Sequence, residues 1–539
     1  MIMPPRGLVK LAAGVLSARM SRWLRRADSG QAAQRRTFAL LSARMAATKA
    51  GHTAGIEPGL DDQTFRERVP LQTYEAVAPS IERMKGGEPD VLWPGRCECF
   101  AVSSGTTDKP AKCLPVTKNM LAHFRQAGRD SLLYYTARVG HTDVLRGRHL
   151  FLGGSTALTR IDETRTDSAF VGDLSDIIAH NMPRWAQEYF YEPGNEIARI
   201  SDWTAKIRAI AERTRNRDIT LVAGIPGWVL ILAEAVRCEV SGGKASTLPL
   251  KTVWPNLECF VHGGVPVAPF VGELRAALGS PVNFHEVYPA SEGFIAAQDA
   301  DAASGLRLMT DAGLYFEFLP MTVFDEGNLP NLGQKAVPVE GVETGIDYAL
   351  ALTTPAGLCR YIIGDVVRFV STWPPRLIYV GRTKLQLSAL GEHVTEKELT
   401  DTLLVVCQRH GWSIVNFHVA PVLAGTLTGQ MRGCHEWWIE LKVPTVETPT
   451  ANAMSPELDL DLMRRNDGYA TRRKGRVLEP PSVRLVMPGV FEQWMRNNGR
   501  WGGQNRMPRC RSDRQIADQL AELSRFYIEA PPPYIVRHG

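Results

Sequence analysis

The sequence predicts an α/β fold with a large N-terminal domain and a smaller α+β domain. Between residues 98 and 287, short apolar runs that end in loops alternate with helical stretches, which is typical of a mostly parallel sheet. From about residue 305 the pattern changes to strands separated by turns. After Gly381 a new set of helices and strands begins. We therefore divide the chain into a large domain of residues 1–381 and a small domain of residues 382–539.

The predicted elements follow in chain order. Residues 1–60 are helical, and the large domain continues with strands at 98–103, 145–153, 219–223, 257–261 and 282–287 and helices at 173–190, 202–214, from 228 and at 268–278. Turn-separated strands then cover 314–319, 348–353, 361–370 and 377–380. In the small domain, a capping box from Thr395 to Glu398 opens a helix that ends near His410. Strands at 414–423, 435–443 and 482–487, a helix at 456–474 and a final helix after Asp513 complete it.

Composition and charge exclude several classes of protein. Hydrophobic residues make up 44% and charged residues 22% of the 539 residues, which excludes a disordered or coiled-coil chain. Residues 1–50 carry ten Lys or Arg and one acid, whereas the rest of the chain has a net charge of −4. The body is therefore not a nucleic-acid-binding surface by charge. The basic N-terminus suits a transit peptide, or an amphipathic helix whose Leu, Ala and Met face packs on the body.

Hydropathy and cysteine content indicate where the protein works. The longest uncharged run lies near 219–233 and is interrupted by Gly224, Pro226 and Gly227, so it is too short and too broken for a transmembrane segment. Nine cysteines are scattered without the spacing of a zinc or redox site, which favours reduced thiols. We expect a cytoplasmic protein.

The first candidate site is a run of hydroxyl residues around a glycine. After a predicted strand come Ser103, Ser104, Gly105, Thr106 and Thr107, followed by Lys109 and Lys112. Backbone N–H groups and hydroxyls in such a loop can surround phosphate oxygens. The segment lacks the Gly-Lys-Ser/Thr of a Walker A loop, and an ordinary turn is the alternative interpretation.

The second candidate site is the motif from Tyr288 to Gly293, which follows an apolar run and is interpreted as a loop. It supplies an aromatic face on Tyr288, a hydroxyl on Ser291 and a carboxylate on Glu292. A carboxylate together with phosphate oxygens suits Mg²⁺. The alternative is a solvated loop acid.

The third and fourth candidate sites place charges near the end of the large domain. Asp365 lies in an otherwise apolar strand, where a carboxylate would be costly to bury unpaired and could accept hydrogen bonds from a ribose diol. The alternative is a turn acid at a bulge marked by Gly364. Arg382, before the run from Leu387 to Glu392, offers a planar fork for phosphate or ribose oxygens, or is a surface arginine in a turn.

The order of these motifs resembles the adenylate-forming (ANL) superfamily. Ser-Ser-Gly-Thr-Thr, Tyr-x-Ala-Ser-Glu-Gly, Arg-Tyr-x-x-Gly-Asp and Gly-Arg…Leu-Ser-x-x-Gly-Glu look more closely like the Gretchen Hagen family, the auxin-responsive acyl-acid amido synthetases. Residues 70–75, 87–95, 354–358 and 502–509 support this narrower resemblance, which covers roughly residues 30–520. The resemblance implies a large adenylate-forming domain and a smaller, mobile C-terminal domain.

The resemblance also implies a two-step ligase that uses ATP and Mg²⁺. A small carboxylic acid becomes an acyl adenylate, and an amine, usually an amino acid, then takes the acyl group. Residues 103–107 would hold the β- and γ-phosphates, and Glu292 would position Mg²⁺. Tyr288 and the Gly263-Gly264 loop would flank the adenine within a motif that includes Ala290 and Ser291. Asp365 and Arg382 would bind the ribose, and the acid pocket would involve residues 153–155 and 224–228.

Two positions depart from the family's pattern. The family usually has Arg where Ile362 stands, and commonly Lys where Arg506 stands. The resemblance gives Arg506 the role of the cation that stabilises the adenylation transition state, with Arg509 as a substitute. Two other functions stay open: an adenylating enzyme that transfers the acyl group to coenzyme A or a carrier thiol, and a non-catalytic nucleotide-binding homologue.

Overall fold

The computed structural model describes residues 6–24, 30–103, 112–153, 158–164, 167–200, 202–243, 246–264, 267–383, 386–387, 392, 394–425, 431–442, 450–475, 477–501 and 507–529. The chain forms two compact units. Unit 1 comprises Met1–Ile363 and Val367–Ile378, and unit 2 comprises Gly364–Val366 and Tyr379–Gly539. The second unit is therefore assembled from two separate pieces of the chain.

Eighteen α-helices lie in the described part of the chain. They are α1 (Arg6–Leu24), α2 (Gln31–Met45), α3 (Lys49–Thr53), α4 (Asp62–Arg68), α5 (Tyr74–Lys85), α6 (Lys118–Val139), α7 (Leu174–His180), α8 (Arg184–Tyr189), α9 (Asn195–Ala198), α10 (Trp203–Thr214), α11 (Pro226–Val240), α12 (Leu250–Val253), α13 (Val271–Leu278), α14 (Glu396–His410), α15 (Ala451–Arg465), α16 (Asp467–Lys474), α17 (Val490–Asn497) and α18 (Gln515–Glu529).

The strands of the described residues form four sheets. They are β1 (Cys99–Ser103), β2 (Lys112–Val116), β3 (Arg148–Phe151), β4 (Thr159–Arg160), β5 (Phe170–Gly172), β6 (Tyr191–Glu192), β7 (Ile219–Ala223), β8 (Cys259–Gly263), β9 (Asn283–Ala290), β10 (Gly293–Ala297), β11 (Leu306–Leu308), β12 (Tyr315–Pro320), β13 (Val337–Pro338), β14 (Asp347–Thr353), β15 (Tyr361–Thr372), β16 (Pro375–Arg382), β17 (Gln386–Leu387), β18 (Val394–Thr395), β19 (Ile414–Gly425), β20 (Met431–Leu441) and β21 (Ser482–Val486).

The largest sheet has twelve strands in the order β13-β12-β14-β15-β16-β11-β10-β9-β8-β7-β3-β6. In the order β9, β8, β7, β3 and β6, neighbouring strands pair in parallel. On the other side of β9, β10 pairs with β9 and β11 pairs with β10, both in antiparallel fashion. This confirms the α/β class. The five parallel strands are consecutive at one end of the sheet, whereas β11 and β16, β12 and β13, and β12 and β14 pair in antiparallel fashion.

Helices α10, α11 and α13 pack with the parallel strands around a common apolar core. Leu221 and Val222 alternate faces along β7, and Val222 joins Phe260 and Trp254 in that core. The indole N–H of Trp254 donates to the Thr214 carbonyl over 2.8 Å, so the buried ring keeps its hydrogen bond. This packing holds the carboxyl ends of β7, β8 and β9 at one edge of the sheet.

Helix α1 packs on α6, and the predicted Leu, Ala and Met face contacts the body in part. Ala13 and Ser17 are buried, whereas Leu8 and Leu11 are exposed. The predicted packing of Leu, Ala and Met side chains on the body is confirmed for Ala13, Met20 and Leu24 and is wrong for Leu8 and Leu11 in the first turns. Leu8 and Leu11 lie on the other side of the helix from the buried Ala13 and Ser17.

Unit 2 contains the three-stranded sheet β19-β20-β21 and the predicted capping box. The side-chain hydroxyl of Thr395 accepts from the Glu398 N–H, and the Glu398 carboxylate accepts from the Thr395 N–H over 2.9 Å. The single helix predicted at 456–474 is two helices, because Asn466 leaves the helical path and its side chain accepts from the Tyr469 N–H over 2.7 Å. Helix α17 was not predicted. Among the described helices of both units, none is long and apolar enough to cross a bilayer.

Candidate functional site

The motif from Tyr288 to Gly293 forms a β-hairpin, not the predicted loop. Strand β9 continues through Tyr288 to Ala290, Ser291 and Glu292 form the turn, and Gly293 begins β10. Tyr288 and Glu292 are each only 8% exposed, so Glu292 is not a fully solvated loop acid. A β-carbon at Gly293 would lie 2.5 Å from Leu314 Cδ1, which explains why a glycine follows the acid. The hairpin therefore holds a carboxylate at a defined place.

His123 on α6 fixes the hairpin immediately after Glu292. Burial lowers the pKa of His123 to about 4, so the ring is neutral near pH 7. Its Nδ1 donates to the Ala312 carbonyl over 2.6 Å, and its Nε2 accepts from the Phe294 N–H over 2.9 Å. The sequence analysis did not select His123. A polar side chain on the apolar face of the helix at residues 118–139 was the available signal.

The Gly263-Gly264 pair lies beside the hairpin at the carboxyl edge of the parallel strands. Gly263 is paired with Val287, and a β-carbon on Gly263 would lie 2.2 Å from the Val287 carbonyl oxygen. Gly264 follows with φ 81°, a left-handed conformation that favours glycine. Tyr288 is the residue after Val287 on β9, and Gly264 is the residue after Gly263 on β8. The Tyr288 ring and the glycine turn are therefore attached at neighbouring positions of two paired strands. In α/β sheets, this edge is where ligands bind.

The hydroxyl-rich segment joins two antiparallel strands. Ser103 ends β1 and pairs with Lys112 at the start of β2. Ser104, Gly105, Thr106 and Thr107 lie outside the described residues, as does Lys109. The Lys112 ammonium lies 3.4 Å from the Tyr361 hydroxyl and 5.6 Å from the Tyr74 ring centroid. A cation thus stands at the base of this connection.

Asp365 and Arg382 face each other within unit 2. The Arg382 Nε donates to Asp365 Oδ1 over 3.1 Å, and the Thr383 N–H donates to the Gly364 carbonyl over 2.8 Å. Asp365 is buried, whereas the Arg382 side chain is 41% exposed. Gly364 has φ 88°, so the strand is locally irregular at the acid. The pair resolves the burial cost that the sequence indicated, since the carboxylate has a cationic partner.

Two further arginines, Arg506 and Arg509, belong to the segment at residues 502–509. Arg506 lies outside the described residues. The Arg509 guanidinium donates to Asn416 Oδ1 and lies 4.8 Å from the Phe417 ring centroid, both in unit 2. Burial lowers the pKa of Arg509 below its ordinary value. Arg509 is therefore engaged by its own unit in this structure.

Arg360, at the start of the Arg-Tyr-x-x-Gly-Asp motif, is fully buried and serves the fold. It donates two hydrogen bonds to the Glu317 carboxylate, over 3.0 and 2.7 Å, and others to the carbonyls of Arg66, Val69 and Gly333. Burial raises the pKa of Glu317, and the guanidinium counteracts that shift. No donor of this arginine is left for a ligand.

Ile362, which replaces the family's usual arginine, packs in an apolar cluster. Leu71, Leu319 and Ala351 are among its neighbours there. The surroundings thus match the apolar side chain that this sequence carries.

An aromatic pair lies near the end of β7, where the acid pocket was predicted. The rings of Trp203 and Trp228 have centroids 4.7 Å apart. A β-carbon at Gly224 would lie 2.9 Å from Leu152 Cβ, so the turn after β7 packs tightly on its neighbour. Gly153 is described, whereas Gly154 and Ser155 lie outside the described residues.

Within the described residues, one group of side chains has the spacing of a metal site. His141, Asp143 and Glu258 offer ligand atoms within 4.8 Å of one another. Arg146 engages Asp143 over 2.8 Å, and Tyr135 donates to Glu258 over 3.1 Å. Glu258 precedes β8, so the group lies at the amino edge of the sheet, opposite the glycine pair. It reads as an ion-pair cluster and is separate from Glu292.

Three consecutive domain models of one family match the chain. The GH3 family N-terminal domain matches residues 20–283, the central domain residues 307–382 and the C-terminal domain residues 397–515. Among curated proteins, the probable indole-3-acetic acid-amido synthetase GH3.2 of Oryza sativa subsp. japonica is 23% identical over 93% of this chain and 92% of its own length. The jasmonoyl–L-amino acid synthetase JAR6 of Nicotiana attenuata is 23% identical over 85% of this chain and 87% of its own.

Two solved structures share the fold. The AtGH3.15 acyl acid amido synthetase in complex with 2,4-DB has a TM-score of 0.72 at 18% identity, covering 97% of each chain. A 2-hydroxyisobutyryl-CoA ligase in the postadenylation state has a TM-score of 0.57 at 14% identity, covering 92% of each chain. The likeness in fold therefore extends over more than nine-tenths of the chain.

Proposed function

The chain belongs to the GH3 family, and from that premise we propose that it is an ATP-dependent acyl-acid amido synthetase. The observation that carries the proposal is the match of three domain models of this family, in order, across residues 20–515. Curated relatives that align over most of the chain are named as indole-3-acetic acid-amido synthetases and as a jasmonoyl–L-amino acid synthetase. The proposed substrates are accordingly a small carboxylic acid, ATP and an amino acid.

The proposed reaction has two balanced steps. First, a carboxylate oxygen of the acid attacks the α-phosphorus of ATP, the bond from that phosphorus to the bridging oxygen breaks, and pyrophosphate leaves. Then the nitrogen of the amine attacks the acyl carbon, a carbon–nitrogen bond forms, AMP leaves, and the amine gives up a proton. The enzyme contributes positioning and charge stabilisation to both steps.

In unit 1 we assign nucleotide contacts to the hairpin and its neighbours. Tyr288 and Gly264 would flank the adenine, because both leave adjacent strands at the carboxyl edge of the sheet. Ala290 and Ser291 continue the same hairpin. Ser103, Ser104, Gly105, Thr106 and Thr107 would hold the β- and γ-phosphates, and the cation Lys112 at the base of this connection supports that assignment.

Glu292 fits the chemistry of a Mg²⁺ ligand. It is a carboxylate at the tip of a hairpin that His123 immobilises. Mg²⁺ in nucleotide sites takes one or two carboxylates and completes its shell with phosphate oxygens and water. Bound there, the ion would neutralise charge between the two reacting anions. Glu292 itself is kept in place by the narrow space around Gly293.

In unit 2 we assign the ribose to Asp365 and Arg382. Asp365 is held in a fixed orientation by the 3.1 Å bond from Arg382, and a carboxylate can accept hydrogen bonds from both hydroxyls of a ribose. We keep Arg506 as the cation for the departing pyrophosphate. The engagement of Arg509 with Asn416 and Phe417 makes it the weaker candidate.

An exchange assay tests the proposed function. Labelled pyrophosphate should enter ATP in the presence of a productive carboxylic acid from a panel that includes aromatic and aliphatic members. Amide should then form with an amino acid, with one AMP released for each amide. A variant with Glu292→Gln should lose most of the exchange, whereas Arg146→Gln, in the ion-pair cluster at the opposite edge, is the matched control that should retain it.

The alternatives give different outcomes. Acid-dependent exchange followed by acyl transfer to coenzyme A or a carrier thiol, and not to an amine, would indicate the thiol-transferring class. Nucleotide binding without exchange for any acid would indicate a non-catalytic homologue.

A further inference from the structure

Helix α1 presents a row of large apolar side chains to solvent. Leu8, Leu11, Val15 and Leu16 are 58%, 67%, 47% and 40% exposed. Leu8, Leu11 and Val15 are separated by three, four and seven residues. At 100° per residue, these spacings place all three side chains on one side of the helix. We call Leu8, Leu11 and Val15 the apolar row.

The opposite side of α1 holds the helix on unit 1. Ala13 and Ser17 are buried, and the last turn is anchored by Trp23. The Trp23 ring stacks on Tyr134 with centroids 6.2 Å apart, and the Arg307 guanidinium lies 4.4 Å from the same ring. The helix is thus docked by its small residues and its C-terminal aromatic, and the apolar row is a fixed outward surface.

Two cations extend the same outward side. Arg19 and Arg22 are exposed and lie eleven and fourteen residues after Leu8, on the same face of the helix. They stand roughly 16 to 21 Å along the axis from Leu8, at 1.5 Å per residue. Apolar side chains followed by guanidinium groups match the boundary between acyl chains and anionic headgroups.

The charge distribution selects one occupant for this surface. Residues 1–50 carry ten basic residues and one acid, while the rest of the chain is net negative. A second copy of α1, which contains no acidic residue, would bring only like charges against Arg19 and Arg22. An anionic bilayer instead attracts this region and repels the rest, which orients the molecule.

We propose that α1 attaches this protein to the surface of membranes that contain anionic lipid. The apolar row inserts among the upper parts of the acyl chains, and Arg19 and Arg22 contact the headgroups. The helix lies on the bilayer and does not cross it. This attachment is separate from the proposed catalytic groups.

Vesicle sedimentation with the full chain tests the proposal. Vesicles of phosphatidylcholine with roughly 30% phosphatidylserine should bind the protein, vesicles of phosphatidylcholine alone should bind it at least about tenfold more weakly, and about 300 mM salt should release it. The triple variant Leu8→Gln, Leu11→Gln, Val15→Gln should lose affinity for the anionic vesicles by roughly tenfold or more, because binding scales with inserted apolar area.

A matched control is available on the next helix. Leu40 on α2 is 71% exposed and lies outside the apolar row, so Leu40→Gln should bind vesicles like the parent. The variant Arg19→Gln, Arg22→Gln should lose the preference for phosphatidylserine. All variants should keep the parent's thermal midpoint and amide synthesis, since the substituted side chains point outward.

Three results would overturn the proposal. They are absence of binding by the parent, equal binding by the parent and the triple variant, and a dimer of the parent that the triple variant converts to a monomer. The last result would show that a second copy covers the apolar row.

Discussion

Arg360 and Arg382 belong to neighbouring motifs, yet their surroundings differ in almost every respect. Arg360 in unit 1 is fully buried, and its donors are taken by Glu317 and three backbone carbonyls. Arg382 in unit 2 leaves 41% of its side chain exposed, and its Nε donates to Asp365 over 3.1 Å. The comparison teaches that arginines of neighbouring motifs can differ widely in burial: Arg360 holds the fold, whereas a ligand contact by Arg382 is a proposal that the experiments below test.

The largest effect should come from removing the buried arginine. Arg360→Met leaves Glu317 without its cation in a dry site, which should cost about 3–5 kcal/mol of unfolding free energy. Urea unfolding of the full chain, monitored by circular dichroism, measures this loss of unfolding free energy. In the matched variant Arg382→Met the loss should be smaller, about 1–3 kcal/mol, because Asp365 is left buried without this cation but the site of the arginine is partly open to water. Equal losses would remove the distinction between the two arginines.

Restoring the family's usual residue at position 362 should also be harmful. Ile362→Arg would place a charge among Leu71, Leu319 and Ala351, and we expect a loss of about 3 kcal/mol or more in unfolding free energy. Ile362→Leu is the control and should cost less than about 1.5 kcal/mol. A stable, more active arginine variant would mean that this position faces a ligand.

Removing Asp365, the buried acid that pairs with Arg382, should affect binding more than folding. Asp365→Ala should weaken ATP binding by about 1.5–3 kcal/mol, the value of hydrogen bonds to a charged group. Calorimetric titration with ATP measures the affinity, and thermal unfolding checks that the fold is kept. Unchanged affinity in a folded variant would contradict the ribose assignment and place Asp365 with Arg360 among the structural residues.

His123 supports the hairpin, and near pH 7 its titration should have the smallest effect of these groups, growing only as the pH falls. Its folded pKa of about 4 lies below the ordinary 6.5, so the unfolded chain binds more protons between these values. Stability should be constant above about pH 6.5 and fall as the pH decreases towards 4, by about 1.4 kcal/mol per pH unit for each such histidine. In His123→Asn the slope of the unfolding free energy against pH should be smaller in this range by the contribution of one proton, about 1.4 kcal/mol per pH unit. An identical pH profile would show that His123 is not buried in neutral form.

Local signals in the sequence predicted much of the fold. The apolar run at 219–223 is β7, and the capping box at Thr395 and Glu398 opens α14. The break between α15 and α16 at Asn466 was missed because an asparagine can either continue a helix or cap the next one, and that choice depends on partners distant in sequence. Asn466 donates to Glu398, 68 residues away.

The candidate site was predictable as a set of residue types but not as an arrangement. Tyr288 and Glu292 were selected from their motif. The motif was predicted as a loop because its strand structure depends on the pairing of Phe294 with Pro289, which the local sequence does not show. The buried role of Arg360 depends on Glu317, and that of His123 on Ala312, which are 43 and 189 residues distant. Contacts at such separations leave no periodic trace in the sequence.

The discontinuous make-up of unit 2 has a consequence for how the protein emerges from the ribosome. Gly364–Val366 belong to unit 2, the next segment, Val367–Ile378, belongs to unit 1, and the chain from Tyr379 onwards belongs to unit 2. During N-to-C synthesis, those three residues must wait until Tyr379 and its successors have been translated, while unit 1 closes only once Ile378 is available. A fragment that begins at residue 382 would lack this strand segment, so no single cut separates the two units cleanly.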